Sequence, residues 1–212
     1  MSSGSIYGIR KDYTKEKIFE YKNAWWFSPV IWNVLSDKTL PRDFMGSIQT
    51  MTGINGPYVW KQINHSMNHS DSTTDRVCWE LSNQQIFHTE DQQVIANAIL
   101  DFLKQNDMYD KSTEDNNISV LQREHIIERF TEIANDILSI DENEFPYFVF
   151  KNTSADDNVE KWFEKYDDKT DEYIPCSLLD QTDTVYTEFV FFKDDKIDKF
   201  VSNQDFDITK IY

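Results

Sequence analysis

The 212-residue chain carries 38 Asp+Glu against 21 Lys+Arg, a formal net charge of −17, with 39% hydrophobic and 15% aromatic residues. That length suffices for a sizeable core, and only five glycines and five prolines argue against a fibrous or low-complexity chain. So acidic a surface repels phosphate backbones and anionic lipid, so the expected partner is a basic protein rather than nucleic acid or a membrane.

No stretch approaches the roughly 18 apolar residues that span a bilayer. The opening MSSGSIYGIRKDY lacks an apolar signal core. Two cysteines, Cys78 and Cys176, do not make a disulfide framework. Together these features lead us to expect a cytoplasmic protein. The charge is uneven: residues 1–70 hold 8 Lys+Arg and 5 Asp+Glu, and residues 71–212 hold 13 and 33.

In chain order, SIYGIR alternates like a short strand with Gly8 inside it, and TKEKIFEYKN is predicted as a short helix. AWWFSPVIWNVL follows, with Trp25, Trp26 and Trp32 in eight residues. Ser28 is placed to cap a helix with Pro29 at its first position, and Val30, Ile31, Val34 and Leu35 to form its apolar face. Trp32 falls on that helix's flank. Trp25 and Trp26 are adjacent, so one face cannot bury both, and one of them is expected to be partly exposed.

Residues 36–75 hold three of the five glycines and are expected to be loops around short elements, with NHSMNHSDSTTD as a polar connector. In RVCWELSNQQIFH, Val77, Trp79 and Leu81 recur with period two, which predicts a strand. Thr89 with Gln92 has capping-box spacing ahead of a helix bearing Val94, Ile95, Ala98, Ile99, Phe102 and Leu103. A polar stretch at about 106–119 leads to a second long helix over about 120–139, with Ile126, Ile127, Phe130, Ile133, Ala134, Ile137 and Leu138 on one side.

FPYFVFKN reads as a strand. Ser154 is placed to cap a helix with Val159, Trp162, Phe163 and Tyr166 on its face. EYIPCSLL and TVYTEFVFFK are rich in β-formers, and KDDK before IDKFV marks a hairpin turn. Regular βαβ alternation is missing, so the predicted class is α+β: helices packed on a mainly antiparallel sheet with an aromatic-rich core. The chain is expected to be one domain over 1–212, with the polar stretch either bridging it internally or joining subdomains 1–107 and 118–212.

His65 and His69 stand four apart, the spacing that on a helix aims two imidazoles at one metal. No glutamate completes HExxH, however, and the surrounding Asn and Ser favour a loop. Asp71, Asp75 and Cys78 are the nearest further ligands. GxSxG, GxGxxG and GxxxxGK[ST] are missing, and neither DDKTDEY nor STEDNNIS matches an EF-hand loop. No cofactor is expected. Cys78, amid apolar neighbours, is expected to be a buried, inert thiol.

Two acidic concentrations remain. Glu124, Glu128, Glu132 and Asp136 recur every fourth residue, opposite the apolar stripe of the second long helix. Like charges so spaced oppose each other by roughly 0.2–0.5 kcal/mol per pair, partly relieved by Arg123 and Arg129. Asp167, Asp168, Asp171 and Glu172 lie in a stretch expected to be a connector, beside Tyr166 and Tyr173. Carboxylates beside aromatic rings suit a docking surface, with charge for encounter and rings as anchors. The sequence therefore points to a non-enzymatic acidic binding protein, such as an immunity protein or antitoxin-type inhibitor. A metal-dependent hydrolase using His65 and His69 and a homo-oligomeric protein are the rival classes.

Overall fold

The computed structural model describes residues 3–12, 14–23, 26–40, 56–108, 120–153, 164–175 and 188–202. Among these are eight strands and five α-helices. The strands are β1 (Ser3–Ile9), β2 (Lys15–Lys22), β3 (Ile86–His88), β4 (Tyr147–Thr153), β5 (Glu164–Asp167), β6 (Glu172–Pro175), β7 (Glu188–Lys193) and β8 (Lys196–Ser202). The helices are α1 (Ser28–Thr39), α2 (Gly56–Asn68), α3 (Thr73–Ser82), α4 (Gln92–Gln105) and α5 (Val120–Leu138).

The chain divides into two compact units. One comprises residues 1–23, 84–92 and 139–212 and holds all the strands; the other comprises 24–83 and 93–138 and holds the helices. This segregation is α+β. The helices on either side of the polar stretch, α4 and α5, belong to the same unit; residues 109–119 lie outside the described residues.

The large sheet has six strands in the order β2-β1-β4-β3-β7-β8, antiparallel throughout except for the parallel pair β3–β7. One of its faces gathers Tyr7, Ile9, Ile86, Tyr147, Val149 and Phe189 into a buried cluster. Gly8 sits in β1 because a Cβ there would come within 2.5 Å of the Phe145 ring. That ring also carries the Arg10 guanidinium at 4.8 Å, and Arg10 pairs with Glu16 and Glu144.

The segment TKEKIFEYKN is a strand, β2, and not the predicted helix. Its lysines and glutamates favour helix locally, but the ladder to β1 runs from Lys15 to Lys22. The turn before it is set by Asp12, whose carboxylate accepts from the Thr14 N–H at 3.0 Å and the Thr14 hydroxyl at 2.6 Å. Those two bonds hold the Asp12 carboxyl below its usual range. A bulge between Ile6 and Tyr7 lets Ile18 slip out of register.

The opposite correction applies at RVCWELS, which is helix α3 and not a strand. Ser72 caps it, its hydroxyl accepting from the Asp75 N–H at 3.2 Å. Residues 77 to 82 are all buried, the polar Glu80 and Ser82 among them, so the period-two recurrence of Val77, Trp79 and Leu81 separates no wet face from a dry one. Cys78 is fully buried, and burial pushes its thiol well up. Part of the predicted polar connector is likewise helical, within α2.

Two expected caps fail. The N-cap of α1 is Phe27 and no side chain caps it, while Ser28 is buried inside the first turn. Thr89 opens a short 3₁₀ turn, Thr89–Asp91, and its hydroxyl donates to the Phe145 carbonyl at 2.6 Å instead of capping α4. Tyr166, expected on a helix, lies in β5; residues 154–163 and Cys176 are outside the described residues. No helix among the described residues is long and apolar enough to cross a membrane.

Candidate functional site

The 19-residue helix α5 sits on an apolar stripe of Ile126, Phe130, Ile133, Ala134 and Ile137, all buried. Phe130 anchors it. Its ring meets Phe27 edge-on at 4.7 Å and stacks with Phe102 at 6.0 Å. Burying this stripe turns the remaining face outward, which is where the sequence places the acidic row.

Glu124, Glu128 and Glu132 are exposed and Asp136 is half-buried. The Glu128 side chain keeps 79% of its surface in solvent and Glu132 49%. Glu132 has a close cation, Arg129 Nε at 3.0 Å. Glu128 Oε2 stands 3.7 Å from His125 Nδ1, an ion pair only when that imidazole is protonated. The His125 ring in turn lies 5.8 Å from Trp26. Trp26 is half-buried, as is Trp32, while Phe27 beside it is buried. Of the aromatic run, then, Phe27 is core and Trp26 borders the acidic face; Trp25 is outside the described residues.

The second acidic concentration is a hairpin end, not a plain connector. Asp167 closes β5 opposite Glu172 of β6. The Asp167 carboxylate accepts from the Lys169 N–H at 2.9 Å, and its carbonyl accepts from the Asp171 N–H at 2.9 Å. Asp171 takes a left-handed φ of 59°, a conformation Asp tolerates better than most residues. Asp167 and Asp171 therefore have turn roles. Asp168 and Glu172 are exposed.

His65 lies in α2 and His69 one residue past its end, so the pair is closer to helical geometry than the sequence led us to expect. Their rings are 4.4 Å apart. The Nδ1–H of His69, however, donates to the His65 carbonyl at 2.7 Å, since a carbonyl can only accept. Of the further candidates, Asp75 gives both oxygens to Lys38 at 2.9 and 3.0 Å, Cys78 is buried, and Asp71 is exposed. Among the described residues no group of three or more His, Cys, Asp or Glu is placed to hold a metal ion.

Two titratable groups that the sequence did not single out stand at the end of β3. His88 is buried between Tyr147 at 5.0 Å and Phe191 at 4.6 Å, and among the described residues its Nε2 has no hydrogen-bond partner. Burial pulls its pKa down to about 4. Three residues on, burial, then Glu90 and Asp195, push Asp91 up to about 6. A lone histidine within the strand IFH was the only sequence sign, and it says nothing of the neighbours that come from β4 and β7.

No protein-family model, curated protein or solved structure matches this chain.

Proposed function

We propose that the protein is a non-enzymatic acidic binding protein that takes a basic protein partner on the outer face of α5, in the manner of an immunity protein or antitoxin-type inhibitor. The observation that carries this reading is the row Glu124, Glu128 and Glu132. These exposed carboxylates recur about 6 Å apart along the helix axis, and among the described residues arginine closely neutralises only Glu132 of the three. A helix selected only for solubility has no need of like charges at this spacing, which oppose one another. Net charge of −17 accelerates encounter with a cationic surface and makes binding fall with salt. Trp26, half-buried beside His125, supplies an aromatic ring at the border of the face, the residue type most enriched at binding anchors. If the partner is a nuclease-like toxin, the carboxylates fill the cationic groove that otherwise holds nucleic acid.

The test compares the native protein with an E128K/E132K variant, each immobilised and exposed to lysate of the source organism, with elution by a salt gradient. A basic protein held by the native chain, released at moderate salt and not held by the variant is the expected result. Equal retention on both, or retention indifferent to salt, overturns the reading.

A further inference from the structure

We draw no further inference here: the strongest candidate, the side-chain cluster of His88, Glu90, Asp91 and Asp195 where β3 runs into the turn before α4, is an acidic cluster beside a histidine ring packed between Tyr147 and Phe191, and nothing in the structure shows a ligand that its carboxylates or the buried His88 Nε2 would hold.

Discussion

The two acidic concentrations look alike in composition and differ in cause. At the β5–β6 hairpin, Asp167 and Asp171 are chosen by backbone geometry: one accepts a turn N–H and the other occupies a left-handed φ. On α5 Glu124, Glu128 and Glu132 face solvent from positions past the first turn, where neither capping nor the helix dipole accounts for them. Counting charges in a sequence therefore overstates a candidate interface. What matters is the charge left over once turns and caps have taken theirs, and α5 keeps the larger remainder.

The largest effect that sharpens this contrast lies beneath the row. Phe130 is fully buried against Phe27 and Phe102, so Phe130→Ala is expected to cost about 3–5 kcal/mol by chemical denaturation. A cost under 1 kcal/mol would show that α5 is not held by this stripe, and the outward orientation of its carboxylates would lose its basis.

Titration separates charge that is displayed from charge that folding must manage. Folding lowers the His88 pKa from 6.5 to about 4, so the unfolded chain takes up this proton first. The associated stability is whole above about pH 6.5 and drains as pH falls through 4, by roughly 3 kcal/mol at most. Because Nε2 has no partner among the described residues, His88→Leu should flatten this part of a stability-versus-pH curve. An unchanged acid limb in that variant would remove His88 from the account. Asp91 has the opposite sign: its pKa rises from 3.8 to about 6, so its cost is complete above pH 6 and disappears toward 3.8. It is half exposed, and solvent screening reduces the gain from Asp91→Asn to about 1 kcal/mol at pH 7.

How much of this was legible in the sequence follows from where each signal resides. Helices α4 and α5 were, because each has one wet face and a 3.6-residue stripe, with Ile95, Ile99 and Phe102 on one and Ile126, Phe130 and Ile137 on the other. Helix α3 was not, because Val77, Trp79 and Leu81 recur at every second residue and mimic a strand, while the burial of Glu80 and Ser82 breaks the link between polarity and exposure. Strand β2 was misread because its local preference yields to a partner strand that sequence periodicity does not register. The same limit governs the sites. The α5 row is a property of one helix and was visible as such, whereas the environments of His88 and the Lys38–Asp75 pair are assembled from residues far apart in the chain.

For binding, the contrast predicts unequal charge reversals. E128K/E132K should weaken a basic partner about 10- to 100-fold at low salt, within the range of coupling between close interfacial charges, and cost about 1–3 kcal/mol of stability, because the mostly buried Arg129 side chain loses its carboxylate. D168K/E172K, at exposed positions of the hairpin, should weaken it less. Titration calorimetry at two salt concentrations decides the matter, and a larger loss from the hairpin pair would move the docking surface to β5–β6.

The smallest effects lie within the hairpin itself. Asp167→Ala removes an acceptor from the Lys169 N–H and should cost about 1 kcal/mol. Asp171→Gly relieves a left-handed residue of its Cβ and should be neutral or stabilising by about 0.5 kcal/mol, since the greater freedom of glycine in the unfolded chain offsets part of the gain. Both variants lose one negative charge. A solvated face would treat them alike, so any difference between them reports the turn. If the two melt together, Asp167 and Asp171 are surface charge like Glu128, and the hairpin regains an equal claim to the partner.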